Sequence, residues 1–187
     1  MKETEIYHLN DKTIKYLALV QSKRQHQYLG LPGNFKIRLP QEIVFPNFEI
    51  GRVDECYLTD ENMLIILEEE SGDITENVLK KFAKYVIFES YRYYKLLYLV
   101  AVCHKNPKNE FELYEYAPSM FIKVFYHYFS QDEIWCKYEN VIIKVKQKEK
   151  LTEMESLDIV FVSKFISKRY APSVIENLIE IFQRCAD

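Results

Sequence analysis

Three acidic residues stand in a pattern that could hold a divalent cation. Asp54 lies in a strand-like segment, and Glu68 and Glu70 close an apolar run that begins at Met63. Residues two apart in a strand share a face, about 6.6 Å apart along the chain, so both glutamates would point the same way. Grouped carboxylates raise each other's pKa, and a hard cation such as Mg²⁺ or Mn²⁺ removes their repulsion. A cation bound there could activate water and stabilise a phosphoryl transition state.

Plainer interpretations of these residues stay open. Residues 68–70, three glutamates in a row, could simply be a solvated strand end. Lys80, Lys81 and Lys84 follow on the flank of a predicted helix, where they could bind substrate phosphates or only keep that flank solvated.

The segment that would position these residues is predicted to be a β-hairpin, a helix and a further strand. Residues 52–70 read as two strands around the polar turn 59–62. A capping-box pattern at 73–76 starts a helix over about 75–95, and 96–103 is a second buried apolar run. A strand, a helix and a strand in this order predict a parallel crossover, and hence an α/β fold.

The rest of the chain suggests a core followed by helices. A helix is predicted over 10–28, a short strand over 35–39 and an edge strand over 111–116, where apolar and acidic residues alternate. Residues 120–129 are aromatic-rich and fit a helix or a strand. A capping box at 152–155 predicts a helix to about 168, and Pro172 begins a last one. We therefore divide the chain into a core, 1–118, and a mainly helical extension packed on it, 119–187.

Composition narrows the class of protein. Of the 187 residues 48% are hydrophobic, which excludes a disordered chain, and 28% are charged. The longest apolar stretch, 96–103, is far shorter than the roughly 20 residues of a membrane span, and the acidic N-terminus is not a signal peptide. We expect a cytoplasmic protein without membrane contact. The net charge of −3 gives no support to a dedicated nucleic-acid binder, although a nuclease needs only a locally basic groove.

Several short motifs, in the same order along the chain, resemble the PD-(D/E)XK nuclease superfamily. They are closest to its recombination-promoting nuclease and putative transposase group, in which an Asp is followed by a hydrophobic strand ending in E-x-Q-S. Each motif alone is weak, but together they are spread over most of the chain. The matching segments are Asp11–Lys15, Tyr28–Pro32, Arg52–Asp54, Leu64–Ser71, Lys81–Tyr85 and Lys150–Glu155.

The resemblance implies a restriction-endonuclease-like core, with a mixed central sheet flanked by helices, acting on DNA with Mg²⁺ or Mn²⁺. It implies that Asp54 and Glu68 are metal ligands. Glu70 stands where the superfamily has Lys, or Gln in this group, so Glu70 would be a third metal ligand or mark a site that has lost activity. Lys81 or Lys84 could then supply the missing ammonium. Asp11, the candidate acid on the first helix, is also a plausible N-cap.

Three functions therefore compete. The first is a Mg²⁺-dependent deoxyribonuclease with Asp54, Glu68, Glu70, Lys81 and Lys84 in its catalytic site. The second is a catalytically inactive module of the same fold that binds nucleic acid or protein, with a homodimer as one form. The third is a helical interaction protein in which the C-terminal half matters most.

Overall fold

The computed structural model describes residues 22–70, 72–103, 107, 109–166, 173, 174 and 176–178. Its contacts divide the chain into two compact units. One unit is residues 29–128, and the other comprises the described residues before 29 and after 128.

Strands of the first unit form a mixed sheet, which confirms the predicted α/β class. The strands of the chain are β1 (Phe35–Arg38), β2 (Glu42–Val44), β3 (Ile50–Arg52), β4 (Glu55–Thr59), β5 (Leu64–Glu70), β6 (Leu97–Cys103), β7 (Phe111–Ala117) and β8 (Met120–Tyr128). Six of them make one sheet in the order β1-β4-β5-β6-β8-β7, and β2 and β3 pair separately. The pairs β5–β6 and β6–β8 are parallel, whereas β1–β4, β4–β5 and β7–β8 are antiparallel.

The predicted hairpin is present as β4 and β5. Leu64 to Leu67 are fully buried, as expected for the apolar run of a central strand. The turn contains Asn62 at φ 63°, a left-handed conformation that asparagine tolerates better than most residues. The hairpin thus places the glutamates of β5 at the far end of the strand from its turn.

Helix α2 (Glu76–Tyr93) makes the predicted crossover between parallel strands β5 and β6. Its N-cap is Thr75, whose side chain accepts a hydrogen bond from Val78 N at 3.4 Å, rather than the predicted Asp73. The buried face includes Leu79, Phe82 and Glu89, and the two apolar side chains belong to the core that the helix forms against β5, β6 and β8.

Residues 120–129, which the sequence left between helix and strand, form β8 almost throughout. The strand pairs with β6 on one side and with β7 on the other, so the sheet continues past residue 118. Strand β7 lies at the edge of the sheet, as its alternating pattern predicts.

The second unit is helical, as predicted for the C-terminal part. Residues 22–28 are helical and are called α1, and α3 (Gln131–Lys146), α4 (Glu153–Phe165) and helical residues 173, 174 and 176–178 follow. The predicted capping box of Thr152 and Glu155 starts α4. In this unit Tyr28 stacks on Phe161 at 5.2 Å between ring centroids and donates a hydrogen bond to Asp158. No helix of the described residues is long and apolar enough to cross a membrane.

Candidate active site

Asp54 lies in a bend between two strands, not inside one strand over 52–58 as the sequence suggested. β3 ends at Arg52 and β4 begins at Glu55 because the chain passes there from the small sheet to the large one. Val53 N donates to Gln41 O at 3.0 Å, and the Gln41 side-chain amide donates to the carbonyl of Asp54. These bonds hold the bend, and with it the carboxylate of Asp54.

Asp54 and the end of β5 hold each other by reciprocal hydrogen bonds. Asp54 N donates to Glu68 Oε1 at 3.1 Å, and Glu69 N donates to Asp54 Oδ2 at 2.9 Å. Each acidic side chain therefore accepts a backbone N–H from the other segment. Two carboxylates are fixed side by side at this end of the sheet.

Glu68 is the more deeply buried of the two. Its side chain is 3% exposed. Burial, and then the charge of Asp54, raise its pKa to about 7, against the opposing effect of Lys81. Ionised Glu68 is thus under electrostatic strain that a nearby cation relieves.

Lys81, on α2, supplies a cation to this end of the sheet. Its Nζ lies 2.9 Å from Glu68 Oε2 and 3.9 Å from Glu70 Oε2, and 5.0 Å from the centre of the Phe82 ring. Burial disfavours the ammonium, but the charge of Glu68 and its hydrogen bond, together with Tyr85 and Glu70, raise the pKa of Lys81 overall. Lys81 therefore stays charged.

Glu70 is turned toward different partners from Asp54. Its Oε1 accepts a hydrogen bond from Gly72 N at 3.1 Å, and its Oε2 faces Lys81. Among the described residues, no three His, Cys, Asp or Glu side chains are grouped so that they could hold a metal ion. The donor chemistry of the Asp54 and Glu68 pair fits a hard cation with oxygen ligands, whereas the predicted set of three carboxylates is not gathered in one place.

The other two predicted lysines lie farther along the same helix flank. Lys80 pairs with Glu76 at 2.8 Å, and both side chains are largely exposed. Lys84 is exposed and makes no ion pair with the residues that the structure describes. Asp11 lies outside the described residues.

A groove of about 590 Å³ runs between α2 and the β2–β3 hairpin. It is lined by Phe45, Glu49, Ile50, Gly51, Asn77, Lys80, Lys81, Lys84 and Tyr85. The three predicted lysines thus share one cavity wall, and Lys81 belongs to both the cavity and the acidic pair.

Tyr85, like Lys81, lies at both the groove and the acidic pair, and the sequence did not predict it as a site residue. It lines the groove, and burial and then the charge of Glu68 raise the pKa of its hydroxyl. Its position four residues after Lys81, on the same helix face, was the signal available in the sequence. The other wall of the groove is the β2–β3 hairpin, and its only signal in the sequence is the short apolar segment Ile43–Phe45.

Two further buried glutamates of this unit, Glu55 and Glu89, each lie near an arginine. Glu55 accepts two hydrogen bonds from Arg38, at 3.1 and 2.9 Å, and burial raises its pKa to about 7 although Arg38 lowers it. Glu89 on α2 is 0% exposed, and neither of its carboxylate oxygens has a hydrogen-bond partner within the described chain. Arg92 Nη1 lies 3.6 Å from it.

Comparison with known proteins gives only distant similarities. No family model and no curated protein matches the chain. The small subunit of a heterodimeric restriction endonuclease is 14% identical over 96% of this chain and 96% of its own, with a TM-score of 0.33. A SAVED/CARF-domain receptor of Acinetobacter baumannii, Cap4, is 10% identical over 92% of this chain and 34% of its own, with a TM-score of 0.26. At these TM-scores the similarity assigns no function.

Proposed function

We propose that this protein is a metal-dependent nuclease that hydrolyses DNA phosphodiester bonds, with Asp54 and Glu68 as the carboxylates that hold Mg²⁺ or Mn²⁺. The observation that carries the proposal is the reciprocal pairing of Asp54 with the end of β5, where Glu68 is buried beside Lys81. A buried glutamate beside a second carboxylate, with one neighbouring ammonium, is an unfavourable way to stabilise a fold, and a group with a perturbed pKa such as Glu68 is typical of functional sites.

The chain's own residues would divide the work. A metal ion bound by Asp54 and Glu68 would lower the pKa of water and offset phosphate charge. Lys81, held as an ammonium, would steady negative charge on the phosphate that is attacked. Lys80 and Lys84, on the open flank, would bind neighbouring phosphates of the substrate.

Lys81 also accounts for the departure at Glu70. The superfamily that the chain resembles has Lys at this strand position, or Gln in the group with the closest motifs, and here Lys81 brings an ammonium from α2 to within 3.9 Å of Glu70. Glu70 would then orient Lys81 rather than act as a third metal ligand. Both oxygens of Glu70 are already engaged, by Gly72 N and by Lys81, which supports this assignment.

A second candidate function is a nuclease-fold module that binds nucleic acid without cutting it. One observation favours it: the ammonium of Lys81 lies 2.9 Å from Glu68 and itself offsets the charge of that carboxylate. In that case the lysine would replace the cation permanently, and the flank of Lys80 and Lys84 would still bind phosphates.

Cleavage assays separate the two functions. Supercoiled plasmid, linear duplex and single-stranded DNA are incubated with Mg²⁺ or Mn²⁺ and with wild type, Asp54→Asn or Glu68→Gln. Glu61→Gln, an exposed acid in the β4–β5 turn, is the matched control. We expect cleavage that falls about 100-fold or more in both site variants, a barrier change of about 2.7 kcal/mol, and not in the control.

Metal binding is measured separately, because activity alone does not locate the ion. Mn²⁺ titrations followed by electron paramagnetic resonance should show a bound fraction for wild type that is lost in Asp54→Asn. Absence of both Mn²⁺ binding and cleavage, with DNA binding retained, would establish the inactive module instead. DNA as the partner, a homodimer, a cytoplasmic location and a relation to transposases stay predictions.

A further inference from the structure

The β2–β3 hairpin is fixed against α2 by close aromatic packing. The Phe45 ring lies parallel to Tyr85, at 6.3 Å, and edge-on to Phe88, at 4.9 Å. Gly51 allows this approach, because a Cβ at that position would lie 2.7 Å from the Phe45 ring and 2.9 Å from the Tyr85 ring. The hairpin is therefore a built wall of the groove.

The tip of this hairpin exposes an aromatic ring in an unfavourable backbone conformation. Phe48 is 89% exposed and has φ 63°, in the left-handed region that costs a residue other than glycine about 1–3 kcal/mol. Phe48 N donates to Phe45 O at 2.9 Å, and Glu49 N donates to the Asn47 side chain at 3.2 Å, so the turn is held in place. Neither exposure nor backbone strain helps the chain to fold, which points to a function for this ring.

Apolar surface continues from the tip along the hairpin. Val44 and Ile50 face each other across the two strands and are both exposed. Ile50 and Glu49, the residues that follow Phe48, line the groove. Glu49 and Ile50 thus belong to the cavity wall that faces the lysines, and the exposed ring of Phe48 directly precedes them in the chain.

The charge of the groove favours an anion. Lys80, Lys81 and Lys84 line it against one acid, Glu49. Lys81 is paired with buried Glu68, whereas the Lys80–Glu76 pair is largely exposed, so a phosphate can compete with Glu76 for Lys80. Lys84 is left without an ion pair in the part of the chain that the structure describes. A basic track with an aromatic ring beside it is the combination that binds single-stranded nucleic acid, by phosphate contacts and by base stacking.

We propose that this groove holds a single DNA strand, with phosphates on Lys80 and Lys84 and a base stacked on Phe48, and leads it to Asp54 and Glu68. This inference rests on the proposed function and adds the substrate form to it. A volume of about 590 Å³ is in the range of sites for small molecules and accommodates one or two nucleotides.

Binding assays test the inference without cleavage. Fluorescence anisotropy with chelator present compares a single-stranded oligonucleotide, the same strand with abasic sites, its duplex and an RNA of the same sequence. Wild type, Phe48→Ala and Phe48→Trp are measured beside Phe121→Ala, a phenylalanine of β8 that is 56% exposed. Lys84→Ala is paired with Lys36→Ala, an exposed lysine of β1.

We expect single-stranded DNA to bind at least tenfold more tightly than the duplex or the abasic strand. Phe48→Ala should weaken this binding about tenfold, Phe48→Trp should restore it to within about twofold, and Phe121→Ala should leave it unchanged. Lys84→Ala should reduce the salt dependence, the slope of log K against log salt, by about 0.7, as for one lost phosphate contact on a single strand. Lys36→Ala should not change that slope.

Equal or tighter binding of duplex, abasic strand or RNA would overturn the inference, as would full binding by Phe48→Ala. The result also separates this inference from the proposed catalysis. Single-strand binding that depends on Phe48, with no cleavage when metal is added, supports the groove and removes the nuclease activity. Metal-dependent cleavage that ignores Phe48 and prefers duplex DNA does the reverse.

Discussion

Lys81 reaches across from α2 to both glutamates that face it at the end of β5, with Nζ 2.9 Å from Glu68 and 3.9 Å from Glu70. The ammonium therefore lies beside the acids although it is supplied by a helix and not by the strand. The crossover brings Lys81 close to Glu68 and Glu70, which lie 13 and 11 residues before it in the sequence. This arrangement makes the role of Lys81 open to direct tests.

Replacing Lys81 should affect the chemical step, whereas replacing Lys84 should affect binding. We expect Lys81→Ala to lower kcat about 100-fold with little change in KM, and Lys84→Ala to raise KM a few-fold at unchanged kcat. Steady-state cleavage of a labelled oligonucleotide measures both constants. Lys81→Arg keeps the charge and should retain more kcat than Lys81→Ala. Rates are compared only where circular dichroism shows folded protein, and an unchanged kcat in Lys81→Ala would contradict the assigned role.

Moving the ammonium back to the strand should recover part of the lost activity. Glu70→Lys alone would bring a second ammonium close to Lys81, and we expect it to lower the rate because the two repel. In Glu70→Lys with Lys81→Ala a single ammonium remains near Glu68, and we expect at least tenfold more cleavage than in Lys81→Ala.

Glu69→Lys with Lys81→Ala is the control for this rescue. Side chains alternate along a strand, so position 69 points to the opposite face, where Glu69 lies near Glu55. This double variant should stay as inactive as Lys81→Ala. Equal recovery by both double variants would show that position does not matter and would remove the explanation.

Removing the buried carboxyl of Glu89 should stabilise the fold. Neither of its oxygens has a hydrogen-bond partner in the described structure, and an unsatisfied buried polar group costs about 1–3 kcal/mol. We expect Glu89→Met to raise the free energy of unfolding by about that amount at pH 8, measured by urea denaturation. Arg92 is half-exposed and can be hydrated once Glu89 is gone. Glu76→Met, at the exposed start of α2, should instead lose up to about 1 kcal/mol because it removes an acid from the helix N-terminus.

The gain from Glu89→Met should depend on pH. Burial raises the pKa of Glu89 above its ordinary 4.5, so the folded chain binds more protons than the unfolded chain between these two values. The free energy of unfolding of the wild type therefore falls as pH rises through that window, and the variant lacks this contribution. The difference between them should be small at pH 4 and grow toward neutral pH. A difference independent of pH would show that packing, not charge, causes it.

Enlarging Gly51 should disturb the groove wall. A Cβ there would overlap the rings of Phe45 and Tyr85, so Gly51→Ala should lower the free energy of unfolding by about 1–3 kcal/mol. Adding Phe45→Leu makes room, and the double variant should be destabilised by less than the sum of the single changes. Thermal denaturation of the four proteins gives this coupling, and strict additivity would mean that the two side chains do not compete for space.

Much of the sheet could be predicted from the sequence because its central strands consist of continuous apolar segments. Leu64 to Leu67 are buried on both faces of the sheet, and such an apolar run indicates a central strand without any knowledge of its neighbouring strands. The helix predicted over about 75–95 is present as α2, and its buried face with Leu79, Phe82 and Glu89 follows the 3.6-residue periodicity, which is a local property of the sequence. The identity of β8 was not, because an aromatic-rich segment fits either period and only pairing with β6 and β7 decides it.

The sequence named candidate residues for the site, but it could not give the contacts between them. Which of Lys81 and Lys84 meets Glu68 depends on how α2 is rotated over the sheet, and no local pattern fixes that rotation. The break at Asp54 arises because the chain changes sheets there, whereas Val53 and Asp54 read as extended in sequence. The three-residue strands of the hairpin beneath Phe48 are too short to show any alternation.

The two-sided pairing of β5 has a consequence for how the chain length can vary. β5 is hydrogen-bonded to β4 and to β6, so its side chains alternate between the two faces of the sheet. Glu68 and Glu70 point toward Lys81, whereas Glu69 points away from it. Deleting one residue within β5 would turn each following side chain to the opposite face, so that only one glutamate would face Lys81. A change of two residues would return the side chains to their original faces. Insertions in the exposed turn at 60–62 leave this alternation untouched. Homologous chains should therefore differ in length at that turn and keep the length of β5.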